Sequence, residues 1–286
     1  MSSSRSEREP FGIYNSSGDL IRGDLRYVRD GKKKPVIVIC HSFMAFKDWG
    51  FFPHVGRKIA EAGYVSIAFN FSQNGVVNDD NRITDFEKFE RNTFSKELED
   101  LRAVIDAVTE KRLGEETGNH NELCLLGHSR GGGIAIVHAA ADERIKALVT
   151  WSAISTFDRW TPHQKEAWKR LGYLPLAKDT SISPLRLGID LLNDLEQHQD
   201  KLNILQAASK VNVPWLIVHG SEDVTVKPHE AERLHAGANK KTTEVKLLEK
   251  IGHLYNGASV EEDHYKTLDG VMNLTTTWLQ HHLKKE

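Results

Sequence analysis

The chain has 286 residues, of which 39% are hydrophobic and 27% are charged, with a net charge of −2. This balance is ordinary for a globular protein and leaves no basic or acidic excess to recruit nucleic acid or anionic lipid, so we expect neither as a partner. No stretch approaches the roughly 18 consecutive apolar residues of a membrane span, and "MSSSRSEREP" lacks the apolar segment of a secretion signal. We therefore expect a soluble, cytoplasmic protein.

The first third of the chain predicts a tail, a hairpin and then an alternation of strands and helices. Residues 1–9 have the composition of a disordered tail, and "FGIYNSSGDLIRGDLRYV" contains two β-like stretches around the turn signal "SSGD". Next come the strand "PVIVICH", the helix "FPHVGRKIAEAGY" closed by Gly63, and the strand "YVSIAFNF". We interpret the charged run "NDDNR" at 78–82 as a solvated loop.

The alternation continues to the end of the chain. "FSKELEDLRAVIDAVTEKRL" has apolar residues at helical spacing, and it is followed by the strand "NELCLLG", the helix "GGGIAIVHAAA" and the strand "IKALVTW". Further on, "VPWLIVHG", "KPHEAERLHAGA", "TEVKLLEKIG" and "DGVMNLTTTWLQHHLKK" predict strand, helix, strand and helix. Short apolar strands separated by helices indicate a mostly parallel sheet covered on both faces, and we expect one α/β domain over residues 10–286.

Residues 152–210 interrupt this pattern, because they contain aromatic and leucine-rich stretches but no strand signal. An insertion of this length between two sheet strands predicts a small helical cap. We assign the substrate pocket to Trp151, Trp160 and Met44, while Trp160 and Trp168 could instead form the hydrophobic core of the cap itself.

The stretch "LCLLGHSRGGG" at 123–133 has the pattern of a nucleophile elbow, in which a strand turns sharply into a helix at a serine. The turn is so tight that the positions flanking Ser129 can carry almost no side chain, which is the reason for Gly127 and Gly131. The helix that follows offers free N–H groups at its first turn. Ser129 is therefore the predicted nucleophile, and a glycine-rich packing turn is the alternative.

A serine hydroxyl needs a histidine base and a carboxylate that orients this base. Chains with such an elbow carry the acid and then the base in later loops, so "PWLIVHGSEDVTV" predicts Asp223 as the acid and "VKLLEKIGHLYNG" predicts His253 as the base. Glu222 could replace Asp223. Three further histidines at the ends of predicted strands compete for the role of base: His41, His128 and His219. For His128 and His219 we expect packing or hydrogen bonds to loop backbone instead.

With "ICHSF", "GHSRGG", "HGSED" and a late "GH", the chain from about Phe11 onward resembles serine hydrolases of the α/β-hydrolase superfamily. It is most similar to the branch of dienelactone-hydrolase-like, feruloyl-esterase-like and prolyl-oligopeptidase-like catalytic domains. The resemblance implies an oxyanion hole built from the backbone N–H groups of Phe43 and Arg130. Ser42 stands where this branch usually has glycine, and Ser129 stands where true dienelactone hydrolases have cysteine.

We thus expect carboxylic ester hydrolysis through an acyl-enzyme, acting on a small-molecule ester. An acylaminoacyl or dipeptidyl-type peptidase and a thioesterase are the alternatives within the class, and a non-catalytic ligand-binding protein of this fold is the alternative outside it. We expect no cofactor and no metal, since no histidine and cysteine cluster has ligand spacing, and we interpret Cys40 and Cys124 as buried thiols. The oligomeric state, a homodimer included, is left open.

Overall fold

The structure, a computed structural model, describes residues 6–77, 81–177, 185–256 and 265–283. Its strands are β1 (Glu7–Tyr14), β2 (Leu20–Tyr27), β3 (Lys34–Cys40), β4 (Val65–Phe69), β5 (Gly118–His128), β6 (Ile145–Trp151), β7 (Tyr173–Pro175), β8 (Arg186–Gly188), β9 (Trp215–Gly220) and β10 (Thr243–Leu248). Its helices are α1 (Phe52–Glu61), α2 (Phe86–Glu90), α3 (Phe94–Thr109), α4 (Arg130–Ala139), α5 (Pro162–Leu171), α6 (Ile189–Gln197), α7 (Ile204–Ala208), α8 (His229–Gly237) and α9 (Tyr265–His282).

Eight strands form one sheet in the order β1-β2-β4-β3-β5-β6-β9-β10. The strands from β4 to β10 in this order pair in parallel, and the β1-β2 hairpin adds an antiparallel edge. Apolar side chains of α1 and α9 cover one face, while α3, α4, α7 and α8 cover the other. The prediction of a mostly parallel sheet with helices on both faces is confirmed. None of the described helices is both long and apolar enough to cross a membrane.

The N-terminal hairpin is also confirmed, but its first strand begins at Glu7, inside the segment predicted as a tail. The charged composition was misleading because these side chains pair across the hairpin. Arg8 lies 2.8 Å from the buried Asp24, and Arg29 lies 3.2 Å from Glu7. Residues 1–5, and 78–80 of the loop predicted at 78–82, lie outside the described residues.

In its described parts, 152–177 and 185–210, the insertion contains the helices α5, α6 and α7 and a short antiparallel pair of strands, β7 and β8. The helices agree with the predicted small helical cap. The two strands were not predicted, because strands of three residues are too short to show an alternating pattern. Trp168 is fully buried, and its ring lies 5.1 Å from that of Trp160 in an edge-to-face arrangement. Trp168 thus belongs to the hydrophobic core, as the alternative to a pocket role predicted.

Helix α4 approaches the end of β3 so closely that its second residue can only be glycine. A Cβ atom on Gly131 would lie 2.3 Å from the carbonyl oxygen of Cys40 and 2.4 Å from that of His41, far inside van der Waals contact. This close approach places the N-terminus of α4 beside the loop that follows β3.

The variant Gly131→Ala should lower the free energy of unfolding by ~1–3 kcal/mol, because the added methyl group overlaps two backbone oxygens that cannot move aside. The matched control is Gly270→Ala on α9, where no atom lies within 4 Å of the added Cβ. That control should raise the stability by about 0.5–1 kcal/mol, since alanine favours a helix. Chemical denaturation measures both, and equal effects of the two substitutions would contradict the close approach.

Candidate active site

Ser129 lies in a one-residue turn between β5 and α4, with φ 57° and ψ −119°. A side-chain-bearing residue rarely adopts this conformation, so the surrounding structure must hold it. The Ser129 N–H donates to the carbonyl oxygen of Trp151 at 2.9 Å, and its own carbonyl accepts the Gly132 N–H at 3.0 Å. A Cβ on Gly127 would lie 2.4 Å from the Gly131 oxygen, which explains the glycine before the turn. Ser129 therefore has the backbone of a nucleophile elbow.

Asp223 and His253 meet beside this turn. The Nδ1 atom of His253 lies 2.7 Å from Oδ2 of Asp223, whose side chain is fully buried. The Oδ1 atom accepts the backbone N–H groups of Thr225 and Val226 at 2.9 and 2.8 Å. Glu222 is exposed, so the carboxylate that contacts the histidine is that of Asp223.

The charge of Asp223 is fixed by these contacts. Burial alone would raise the pKa of its carboxyl, but hydrogen bonds from His219 and His253 and from the Val226 N–H outweigh it and hold the pKa well below its usual range. Asp223 is therefore an anion at neutral pH. An anion bonded to Nδ1 keeps the proton of a neutral His253 on that atom and leaves Nε2 free to accept one.

Two other histidines, His128 and His219, form hydrogen bonds to the backbone of loops at this site. His128 is fully buried, and its Nε2 lies 3.0 Å from the backbone oxygen of His253. Burial, and then the neighbouring His253, lowers the pKa of His128 to about 3, so its Nε2 carries a proton and donates. His219 is likewise buried, with Nε2 2.9 Å from the carbonyl oxygen of Val226.

His41 also forms hydrogen bonds to backbone, at the loop that follows β3. Its Nδ1 lies 2.9 Å from the Ser42 carbonyl oxygen, and its Nε2 lies 3.3 Å from the Phe71 N–H. Burial lowers the pKa of His41 to about 4, so the ring is neutral and bridges the two backbone groups. The side chains of His41, His128 and His219 are thus all bonded to backbone groups.

Ser129 and His253 open into one cavity of about 270 Å³. Five aromatic side chains line the same cavity: Phe43, Trp49, Phe94, Phe157 and Trp160. Larger cavities of about 1060 and 590 Å³ elsewhere on the molecule contain neither Ser129 nor His253. The 270 Å³ cavity is therefore the candidate substrate pocket.

Of the three predicted pocket residues, the structure brings only Trp160 to this cavity. Trp151 is fully buried at the end of β6, where its indole N–H donates to Thr275 Oγ1 at 3.2 Å, on the sheet face covered by α9. Met44 is 44% exposed and lies outside the cavity lining. The assignments of Trp151 and Met44 are corrected, because the first points into the core and the second into solvent.

The two predicted oxyanion donors, Phe43 and Arg130, both line the cavity. Neither of their backbone N–H groups donates a hydrogen bond within the part of the chain that the structure describes, and Arg130 is the first residue of α4, where N–H groups have no partner in the helix. Ser42 is not among the residues with positive φ, and the left-handed position of this loop is Met44 at φ 58°. Serine therefore replaces glycine at 42 without backbone strain.

One residue that the sequence analysis missed lies directly behind the elbow. Glu97 is buried on α3 and forms an ion pair with Arg130. It precedes Leu101 and Val104 at helical spacing, on the face of α3 that packs into the core. A charged residue at a core position of an amphipathic helix is the signal that could have identified it. Across the described residues, no group of three or more histidine, cysteine or acidic side chains could hold a metal ion.

Solved structures with the same architecture define the class. The α/β hydrolase GrgF from Penicillium sp. sh18 aligns with a TM-score of 0.77 at 17% identity, covering 97% of this chain and 99% of that one. Est1E from Butyrivibrio proteoclasticus, solved with ferulic acid bound, aligns with a TM-score of 0.72 at 19% identity, covering 95% and 98%. The fold is that of the α/β-hydrolases.

The comparison of sequences identifies the family within this fold class. It matches the dienelactone hydrolase family over residues 25–170, just over half of its length, and the chain belongs to that family of hydrolases. The 2,6-dihydropseudooxynicotine hydrolase of Paenarthrobacter nicotinovorans is 24% identical over 194 residues, which is 66% of this chain. The matched part is only 44% of that relative's length.

The neutral, buried His128 should make the protein less stable as the pH falls. An unfolded histidine titrates near pH ~6.5, so between about pH 5.5 and 4 the unfolded chain binds a proton that the folded chain does not. This costs about 1.4 kcal/mol of unfolding free energy per pH unit, and His128→Phe should reduce the slope by that amount.

The control is Phe51→Leu, which disturbs the ring packed 5.2 Å from His128 without removing a titrating group. It should lower the stability at every pH and leave the slope unchanged. Urea denaturation at several pH values between 4 and 5.5 measures both slopes. A His128→Phe slope equal to that of the wild type would show that His128 is charged in the folded state.

Proposed function

We propose that this protein is a serine hydrolase that cleaves carboxylic esters through an acyl-enzyme. The observation that carries the proposal is the strained turn at Ser129, which opens into the same small cavity as His253 while Asp223 holds the other side of that imidazole. A strained serine beside a base with a buried carboxylate partner is the arrangement of nucleophilic catalysis.

In the proposed mechanism, Ser129 Oγ attacks the ester carbonyl while His253 Nε2 takes its proton. The backbone N–H groups of Phe43 and Arg130 donate to the oxyanion, and each such donor is worth about 2.7–4 kcal/mol in the transition state. His253 then returns the proton to the leaving alcohol, which leaves an acyl group on Ser129. Water, deprotonated by the same imidazole, hydrolyses the acyl-enzyme, and the Asp223 carboxylate stabilises the imidazolium in both steps.

The cavity supports a small apolar or aromatic ester as the substrate. Its walls are mostly apolar and include five aromatic side chains, and a volume of about 270 Å³ is near the lower end of ligand pockets, so a compact acyl group or a single ring fills it. The similar fold of Est1E holds ferulic acid, an aromatic acid of this kind. A serine at the elbow, instead of cysteine, supports ester chemistry over the lactone specificity of true dienelactone hydrolases.

A serine-directed fluorophosphonate should label the wild-type protein once per chain, and Ser129→Ala should abolish the label. The control is Ser42→Ala, which removes the hydroxyl of a second serine that lines the cavity and should leave the labelling intact. Mass spectrometry of the labelled peptide reads out the site. An unlabelled but folded wild type, or a label that persists in Ser129→Ala, would contradict the proposal.

Asp223→Asn should lower kcat for a p-nitrophenyl ester by about 10⁴-fold, because an amide cannot hold His253 in the required tautomer or stabilise its charged form. The neighbouring Glu222→Gln makes the same chemical change on an exposed side chain and should leave kcat within about twofold. Steady-state kinetics on both variants discriminates the two carboxylates. A large loss in Glu222→Gln alone would reassign the acid.

A further inference from the structure

A buried ion pair lies directly behind the elbow. The guanidinium of Arg130 contacts both carboxylate oxygens of Glu97, with Nε to Oε2 at 3.1 Å and Nη2 to Oε1 at 2.9 Å. The two side chains are only 9% and 5% exposed, and Asn92 donates a further hydrogen bond to Oε1 at 2.7 Å. The guanidinium is therefore held by a residue of α3, an element that carries none of the proposed catalytic groups.

The guanidinium also lies over two aromatic rings that line the substrate cavity. Its Cζ lies 4.4 Å from the ring centroid of Phe94 and 5.0 Å from that of Phe43. Phe43 belongs to the loop after β3, and its ring also lies 5.8 Å from that of Phe89. Stacking of an arginine on an aromatic ring is attractive and restricts the position of both groups.

Arg130 thus contacts both halves of the proposed oxyanion hole. Its own backbone N–H is one donor, and its side chain packs against Phe43, the residue whose backbone N–H is the other donor. The distance between two such donors must be held within a fraction of an ångström for both to reach one oxygen atom. The loop of Phe43 and the first turn of α4 are far apart in sequence, so a contact between their side chains is an effective constraint.

We propose that the Glu97–Arg130 ion pair is the positioning device of the oxyanion hole, and that Glu97 is a positioning residue for catalysis. This inference rests on the proposed serine hydrolase function. Stability alone is a poor explanation for the pair, because two buried charges cost solvation energy that apolar residues of similar volume would not. Glu97 fixes the guanidinium of Arg130 through the ion pair, and the guanidinium in turn fixes the ring of Phe43. The backbone N–H groups of Phe43 and Arg130 therefore stay at a constant distance from each other.

The test compares the kinetics of Glu97→Gln and wild type with p-nitrophenyl acetate as the substrate. Its acetyl group is small, so its binding depends little on the walls of the cavity. Glutamine keeps the size of the side chain but loses the charge that holds the guanidinium. We expect kcat to fall by about 10- to 100-fold, because the loop donor moves out of place, while KM changes less than about threefold. The affinity for a trifluoromethyl ketone, which forms a tetrahedral oxyanion on the serine, should fall in parallel with kcat/KM.

The matched control is Asp142→Asn. Asp142 lies just beyond the other end of α4 and forms a bidentate ion pair with Arg144, with Nη2 to Oδ2 at 2.7 Å and Nε to Oδ1 at 2.9 Å. Its substitution should lower the melting temperature and leave kcat and the inhibitor affinity unchanged. A second variant, Arg130→Gln, and the double variant complete a thermodynamic cycle, in which the two substitutions together should cost little more in kcat than the larger single one.

The outcomes are distinguishable. If wild type turns over the ester but folded Glu97→Gln keeps its kcat and its affinity for the ketone, the ion pair is only structural and the inference is wrong. Additive losses in the double variant would equally overturn the coupling of the two residues. If folded wild type shows neither turnover nor fluorophosphonate labelling, the proposed function itself fails, and the inference fails with it.

Discussion

The structure depends on one close approach, that of the N-terminus of α4 to the end of β3. A single methyl group at position 131 would overlap the carbonyl oxygens of Cys40 and His41. Because nothing separates these backbones, Phe43 and the first residue of the helix, Arg130, line the same cavity. The strained backbone of Ser129 follows from the same constraint, since the chain must leave β5 and enter α4 within one residue.

Around this contact the site is organised by hydrogen bonds to loop backbone. His41, His128 and His219 are each buried and lie within hydrogen-bonding distance of a carbonyl oxygen in a loop that carries a proposed functional group. Burial keeps His41 and His128 neutral, so they do not compete with His253 for a proton at neutral pH. The histidine bonded to the Asp223 carboxylate at 2.7 Å and open to the cavity is His253.

The charges near the cavity are compensated behind its walls. Arg130 pairs with Glu97, and Arg159, which also lines the cavity, pairs with Glu230 on α8 at 2.9 Å. Among the described residues, none of those that line the cavity is acidic. A cavity with several aromatic side chains and compensated cations suits the proposed small apolar ester, because no free charge lies beside the carbonyl that would react.

Much of the fold could be predicted because its signals are local. Apolar strands alternate with amphipathic helices, and the glycines around Ser129 report the tight turn directly. The pocket was harder to predict because it depends on which way a side chain points. Trp151 ends a strand that is buried on both faces, so the sequence has no alternation to tell cavity from core. The Glu97–Arg130 pair joins residues 33 positions apart on different helices, and only the packing of α3 on α4 reveals it.

The most direct test of the central claim is the reaction of the pure protein with p-nitrophenyl acetate during the first turnover. Rapid mixing should show a burst of p-nitrophenol equal to the concentration of the protein, and acid quenching during the burst should trap one acetyl group on the peptide that contains Ser129. Release of p-nitrophenol without a burst and without an acetylated peptide, or an acetyl group on another residue of the folded protein, would contradict a serine acyl-enzyme.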